Sequence, residues 1–423
     1  MTVSAGDQSS YSRREFLESS SRNAACLTVG MMGLKDVRSP IDRLQVGVIG
    51  LGVHGLELAK SFAEMKDVQV AAICDVDASR LAVGQADLKE IQHSRPLAFS
   101  DHQMMLDRPD LDAVVVATPD HWHAQQALDV LQIGRHLYLE TPTAHTVEDV
   151  DRINRVAAKS GCVVQAGLPQ RHGAHFQSAV ELVQSGFLGR VPLARAWAVH
   201  QRKSIGYCAE STPPRGVDYE RWLGPARQRP FAANRFHGDW NWFWDYGSGE
   251  LGKWGTHNLD LAFWALKLGL PKRVSSTGGI RTFRDDRETP DTLTVAYEYP
   301  SVDIVWEHRQ WGTRGIEGRT SGTAFYGERG TLVVDRSGWK VYGHRDERFA
   351  GASEFKLSAL RSFVNSITAG GGHSRDSIES GSLVSTACHL GNISYRVGRA
   401  LDIDTKRLRV KDDPEATLLM SSG

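Results

Sequence analysis

The run Leu44-Gln45-Val46-Gly47-Val48-Ile49, followed at once by Gly50-Leu51-Gly52-Val53-His54-Gly55, restricts this chain to a narrow set of folds. The first six residues read as a buried strand, and Leu56, Ala59, Phe62 and Ala63 then carry helical spacing. A second apolar run, Val68 to Cys74, ends at Asp75. A G-x-G-x-x-G loop between strand and helix, with an acidic residue closing the next strand, predicts a dinucleotide-binding βαβ unit. Gly50 permits the tight turn, Gly52 lets backbone approach a pyrophosphate, and Gly55 lets the helix pack closely on the strand. Val53 and His54 complete the loop, so that the helix N-terminus faces negative charge. Asp75 is expected to accept hydrogen bonds from the adenosine ribose and to repel a 2′-phosphate. That favours NAD over NADP, a preference that Arg80 nearby softens.

The next strand, Ala113 to Ala117, runs into Thr118-Pro119-Asp120-His121-Trp122-His123 ahead of a helix expected from about Ala124 to Leu131. Another, His136 to Leu139, runs into Glu140-Thr141-Pro142. Both ends fall at carboxyl edges of parallel strands, where open α/β sheets bind ligands. Thr118, Pro119, His121, His123 and Glu140 are therefore candidates for cofactor contact. Helix capping and core packing compete for the two histidines.

A chain of 423 residues exceeds one ordinary core, so two domains and a tail are expected. Fifty Lys+Arg balance fifty Asp+Glu, which argues against nucleic acid or an anionic membrane as partner and for a small, largely uncharged ligand. The five cysteines form no close pair, so neither a metal site nor a disulfide framework is expected. No apolar run is long enough for a membrane span. Ser12-Arg13-Arg14-Glu15-Phe16-Leu17 and the apolar stretch Ala24 to Leu34 resemble a twin-arginine export signal, which implies a periplasmic or cell-envelope location, or a cytoplasmic one if the signal does not function. Arg22 beside the apolar stretch, and the lack of a small-x-small cleavage site before Pro40, count against it.

The glycine loop, Asp75, Thr-Pro-Asp-His-Trp-His, the Glu-x-Pro tripeptide at 140–142 and Gly252-x-x-Gly255-x-His257 together resemble the Gfo/Idh/MocA family, named after glucose-fructose oxidoreductase and inositol dehydrogenase. The likeness runs from residue 44 to about 400 and is nearest to an exported branch common in planctomycete-type bacteria. It implies an α/β chain in four parts: signal (1–40), Rossmann domain (41–166), C-terminal α+β domain with a mostly antiparallel open-faced sheet (167–400), and tail (401–423). The open face implies a homo-oligomer. Hairpins are predicted around Pro300-Ser301 and around Gly327-Glu328-Arg329-Gly330, and helices from Phe355 to Ile367 and Ile378 to Val397.

The chemistry is expected in the stretch Trp240 to Asp260, which holds Trp240, Trp242, Trp244, Tyr246 and Trp254 among flexible glycines. A helix beginning near Lys253 would place His257 and Asp260 on the same face. In the family's dehydrogenases, the lysine of a Glu-Lys-Pro tripeptide and an Asp-x-x-x-His pair complete the site. This chain keeps His257, but has Thr141 for that lysine and Lys253 for that aspartate. In one reading Lys253 supplies the missing ammonium while His257 takes the substrate's hydroxyl proton, each charge lowering the other's pKa. The resulting activity is an NAD(P)-dependent oxidation of a hydroxyl on a sugar, polyol or glycoside, with tightly bound NAD in a redox-neutral cycle. A second reading is an NAD-dependent glycoside hydrolase, suggested by the Thr256-His257 pair. A third is a catalytically silent nucleotide- and sugar-binding protein. Arg171, Arg202, Trp244, Asp245 and Tyr246 are the candidates for holding the carbohydrate.

Overall fold

A computed structural model describes residues 43–343, 347–351, 354–371 and 377–422. The twin-arginine-like segment lies outside the described residues. From Leu44 onward the chain forms one compact unit.

Its first half is a parallel sheet of β1 (Leu44–Ile49), β2 (Val68–Cys74), β3 (Leu97–Phe99), β4 (Ala113–Val116), β5 (His136–Leu139) and β6 (Val164–Ala166). The strand order is β3-β2-β1-β4-β5-β6, so the direction of winding reverses between β1 and β4. Helices α1 (Val53–Ala63), α2 (Ala78–Gln92), α3 (Asp120–Gln132) and α4 (Val147–Ser160) connect the strands. All four residues of β4 are buried, which explains its continuous apolar run rather than an alternation. Helix α3 begins four residues earlier than expected. Pro119 occupies its N-cap and Asp120 its first turn, where a carboxylate suits the helix dipole, so Asp120-His121-Trp122-His123 are helical rather than loop.

After α5 (Ala174–Gln184), the second half builds a ten-stranded sheet. Its strands are β7 (Leu193–Val199), β8 (Arg273–Gly279), β9 (Thr292–Glu298), β10 (Asp303–Arg309), β11 (Ser321–Gly327), β12 (Gly330–Asp335), β13 (Gly338–Tyr342), β14 (Arg348–Ala350), β15 (Leu401–Asp404) and β16 (Arg409–Val410). The order is β14-β13-β12-β11-β7-β10-β9-β8-β15-β16. Only β7 and β10 pair in parallel among the pairings of this sheet, so it is mostly antiparallel. Both predicted hairpins form, as β9–β10 and β11–β12. One face carries Val295, Tyr297, Ile304, Trp306, Leu332 and Val334 into a core shared with α6 (Thr256–Leu266) and α8 (Ile378–Val397). Along β9 and β10 buried residues alternate with partly exposed ones, the period expected of a half-covered sheet. Strand β8 escapes a sequence reading because its Ser, Thr and Gly residues carry no such alternation. The expected C-terminal tail is bound to the body: β15 pairs with β8, and Ile403, Val410, Ala416 and Met420 are buried in the same core.

Helix α8 and the loop after β5 lock the two halves together. Ser385 Oγ accepts a hydrogen bond from the Thr143 N–H at 2.9 Å, and His389 Nε2 lies 2.8 Å from the Ala144 carbonyl. The helix α7 (Phe355–Thr368) lies along α1, with Phe363 against Phe62 and Arg361 paired to Asp67 at 2.7 Å. These contacts fix the width of the cleft between glycine loop and C-terminal domain.

Candidate active site

The cleft encloses about 550 Å³ at the carboxyl edge of the parallel sheet, within the usual range for a small-molecule site. Its floor is the glycine loop. Gly50 has φ +91°, and a Cβ there would lie 2.7 Å from the Ala117 carbonyl oxygen. A Cβ at Gly55 would lie 1.9 Å from the Gly50 oxygen, so helix and strand leave room for hydrogen only. Gly52 differs, because a Cβ there meets a single protein atom, Arg80 Nη1, at 3.6 Å. The space above Gly52 is thus open to the cleft. The first turn of α1 has no side-chain cap and no acidic residue, and its Val53 is 83% exposed. Unsatisfied N–H groups, a guanidinium and an open backbone suit a pyrophosphate. Asp75 lines the cleft, but its Oδ2 accepts from Leu51 N–H at 2.7 Å and its Oδ1 from Asp77 N–H at 3.0 Å. It thus braces the loop from below, and burial raises its pKa.

At the next strand ends, Thr118 and Pro119 line the cleft, with the Thr118 hydroxyl donating to Gln126 at 2.7 Å. His123 has its ring nitrogens 2.7 Å from the Pro142 carbonyl and 2.9 Å from the Thr118 carbonyl, which ties the two strand ends together. His121 was a cofactor candidate, but the structure turns it away from the cleft. It is buried against Trp222 and Tyr246, with Nε2 3.0 Å from the Trp222 carbonyl, and burial pushes its pKa down to about 4. Glu140 faces His54 at 3.0 Å. Burial pushes the Glu140 carboxyl up, but the His54 charge and hydrogen bond hold it below the ordinary value, and the His54 imidazole rises in return.

The C-terminal domain closes the cleft with Lys253, Trp254 and His257, flanked by Trp240 and Asn241. Instead of starting an α-helix at Lys253, the chain makes one π-helical turn, Leu251–Gly255, and continues as α6. Single π turns recur at functional sites because they re-aim side chains. Here both Lys253 and His257 reach the cleft, while Asp260 is buried and binds Arg171 through two hydrogen bonds of 2.7 and 2.8 Å. The expected mutual lowering of pKa between Lys253 and His257 is not what acts. Burial depresses Lys253, reinforced by Arg202 and opposed by Glu250, Asp120 and Asp239. Burial also takes His257 down to about 3, with Arg336 adding to it. His257 is thus a neutral imidazole and a weak base at neutral pH.

Asp120 is the group that was not singled out in the sequence. It lines the cleft, accepts a 2.5 Å hydrogen bond from the Ser248 hydroxyl, and is raised to about 6 by burial, partly offset by His123, Ser248 and Lys253. Its signal in the sequence was its place right after Pro119, at the first turn of a helix pointing into the cleft. A carboxylate titrating near 6 in the field of an ammonium with a lowered pKa is suited to accept a proton near neutral pH.

The five residues expected to hold carbohydrate do not line this cleft. Arg171 is committed to Asp260 and Arg202 to Glu250 at 2.9 Å. Trp244 lies under Arg396, whose guanidinium carbon is 5.2 Å from its ring, and Asp245 pairs with Arg229 at 2.7 Å. Tyr246 is fully buried in an aromatic cluster with Trp222 and Phe243. Of the aromatic residues in the stretch Trp240 to Asp260, Trp240 and Trp254 line the cleft instead.

Residues 44–168 match the family model described as the oxidoreductase family's NAD-binding Rossmann fold, and residues 182–274 match its C-terminal alpha/beta domain. A glycosyl hydrolase family 109 protein of Shewanella sp. (strain ANA-3) is 28% identical over 218 residues, 46% of this chain and 47% of that protein. An alpha-N-acetylgalactosaminidase of Shewanella oneidensis is 26% identical over 164 residues, 37% of this chain and 35% of that protein. The chain thus matches less than half the length of these curated relatives. Among solved structures, the WlbA dehydrogenase from Bordetella pertussis in complex with NADH and UDP-GlcNAcA superposes with a TM-score of 0.64 at 20% identity, covering 85% of this chain and 99% of that one. The aldose-aldose oxidoreductase from Caulobacter crescentus complexed with glycerol gives 0.65 at 19% identity, covering 85% and 100%. At such identities the likeness is one of fold. The glycine loop, the uncapped helix above it and the two matched domains make this chain a member of the Gfo/Idh/MocA oxidoreductase family, with an NAD-binding Rossmann domain.

Proposed function

We propose that this protein is an NAD-dependent oxidoreductase that oxidises a hydroxyl on a sugar, polyol or glycoside. The observation that carries this reading is the convergence of Asp120, Lys253 and His257 on the cleft whose floor is the glycine loop. Bound NAD supplies a hydride acceptor for the carbinol carbon. Lys253 donates a hydrogen bond to the reacting oxygen and stabilises it as its proton leaves. Lys253 gives one of its own protons to the Asp120 carboxylate and, as the free amine, takes the hydroxyl proton and returns to the ammonium, so the proton lost by the substrate is balanced by the one gained at Asp120. Neutral His257 holds the same oxygen in place, and Trp240 and Trp254 bracket the ring. The structural neighbours include a levoglucosan dehydrogenase complexed with NADH and levoglucosan, which fits this substrate class.

A second reading is favoured by one feature. The Thr141 hydroxyl lies 3.4 Å from the Thr256 hydroxyl next to His257, and the curated relatives bear glycosidase names. There, the same oxidation would be transient and the hydride would return after loss of the glycosidic oxygen. Export by the twin-arginine-like segment would favour tightly held NAD and such a redox-neutral cycle in either case. Self-association through the half-exposed face of the ten-stranded sheet is part of the same proposal.

The test is to mix NAD-loaded full-length protein with free sugars, polyols and aryl glycosides while recording 340 nm absorbance and released phenol together. A 340 nm rise with free sugars or polyols is expected. Phenol release without net absorbance change would transfer the assignment to the glycosidase reading, and silence on both channels would refute both.

A further inference from the structure

One end of the cleft carries Arg336 and Lys356, and nothing in the oxidation step uses these two cations. Arg336, in the turn between β12 and β13, and Lys356, in the first turn of α7, line the cleft together with Trp254 and His257. The Arg336 guanidinium carbon lies 4.6 Å from the centre of the Trp254 ring and 5.9 Å from that of Phe355. Its Nε is buried without a hydrogen-bond partner, and among the described residues no carboxylate pairs with it. Three other guanidiniums of the C-terminal domain have a carboxylate partner. Arg171 is paired with Asp260, Arg202 with Glu250 and Arg287 with Asp285.

A guanidinium withdrawn from water without an anion is costly, because neither solvent nor a counter-charge replaces the lost hydration. Burial accordingly pulls Arg336 below its usual range, and its charge depresses His257. The Trp254 ring gives the guanidinium a cation–π contact but offers Nε no acceptor. An exposed surface arginine would need no explanation. An arginine half withdrawn into a ligand cleft, over an indole and with a buried unpartnered Nε, has the form of a site whose anion arrives with the ligand. Lys356 stands at the rim, more than half exposed and 3.8 Å from Glu57, and adds attraction there.

We infer that Arg336, backed by Lys356, is the subsite for an acidic group on the substrate, so that the sugar taken by this cleft carries a carboxylate or a sulfate ester. This inference rests on the reading of the cleft as a sugar oxidoreductase site. It also replaces the expectation of a largely uncharged ligand, since a zero net charge over the whole chain says nothing about charge local to a cleft. The planar fork of Arg336 matches a carboxylate or sulfate edge with two parallel N–H···O bonds.

The experiment uses full-length, NAD-saturated wild type, Arg336→Met and Arg336→Lys. Tryptophan fluorescence follows titration with hexuronates, the matching neutral hexoses and 6-sulfated hexoses, and calorimetry measures NAD affinity separately. The wild type is expected to bind an acidic sugar roughly 10- to 100-fold more tightly than its neutral counterpart. Arg336→Met should erase that preference with NAD affinity unchanged, and Arg336→Lys, which keeps the charge but loses the fork, should retain part of it. Preference for uronates over sulfates, or the reverse, identifies the acid. Neutral hexoses bound as well as acidic ones would overturn the subsite and leave the sugar reading standing. So would an Arg336→Met protein that loses NAD affinity but keeps its sugar preference, since the arginine would then serve the cofactor phosphates. If no sugar of any kind binds, the sugar reading fails and the subsite with it.

Discussion

Lys253→Met is expected to lower kcat by roughly 10²- to 10⁴-fold, the range typical for losing a group that handles a proton, while NAD affinity stays unchanged. Methionine nearly matches the lysine in length and keeps the contact with the Trp242 ring, over which the ammonium lies at 5.6 Å. What disappears is the positive charge at the reacting oxygen and the link from that oxygen to Asp120. The site then contains Thr141, which offers only a hydroxyl, and His257, whose imidazole is too weak a base to replace the ammonium. Steady-state rates with an accepted sugar, beside calorimetric NAD titration, check both halves. A variant that turns over at the wild-type rate would show that the lysine missing at Thr141 has no replacement at position 253. A variant that loses NAD would place Lys253 on the cofactor instead.

The second large effect separates the two glycines of the loop. Gly55→Val forces a Cβ into a space where the Gly50 oxygen already lies 1.9 Å away. Helix α1 must then lift from β1, at a cost of roughly 3 kcal/mol or more, and both the melting temperature and NAD affinity fall. Gly52→Val meets only the end of the Arg80 side chain at 3.6 Å. Its melting temperature should stay close to wild type, because the added atoms displace no protein. Its NAD affinity should still fall by roughly 10- to 100-fold, because those atoms occupy ligand space. Thermal melts with and without NAD distinguish the pair. If Gly52→Val binds NAD normally, the open space above residue 52 is not where the pyrophosphate lies.

The contrast between these glycines also shows what a sequence of this kind discloses. The loop and the strands around it are local features, set by residues within a few positions of one another, and are therefore legible in the sequence. Hairpins β9–β10 and β11–β12 are legible for the same reason. The start of α3 is not: the sequence places it near Ala124, whereas the helix begins at Asp120. Nor are the partners of the charged side chains downstream. Arg171, Arg202 and Asp245 carry charges that look available in a linear reading, but Asp260, Glu250 and Arg229 claim them from distant positions in the fold. The tryptophan-rich stretch divides likewise: Trp242 and Tyr246 are buried, whereas Trp240 and Trp254 line the cleft. No periodicity marks that division, because a π turn and a series of 3-10 turns replace a regular helix there. Arg336 carried no signal at all, since only the folding of β12 against β13 brings its turn to His257.

The proposed mechanism exchanges the roles that the sequence suggested. In it Lys253 remains central, but its proton partner is Asp120 rather than His257, whose imidazole burial takes down to about 3. The sign of the pH dependence follows: Asp120 must be ionised to receive the proton, so the oxidation rate should rise with pH through the value near 6 to which burial has raised it. Its field comes from His123, Lys253 and the Ser248 hydroxyl. The most direct measurement is the single-turnover rate of 340 nm appearance from pH 5 to 8, in wild type and in Asp120→Asn. The expected result is a wild-type limb rising through an apparent pKa near 6, and an Asp120→Asn rate that is lower throughout and lacks that limb. An identical limb in both proteins would contradict the account, because the proton would then be leaving the cleft by another group.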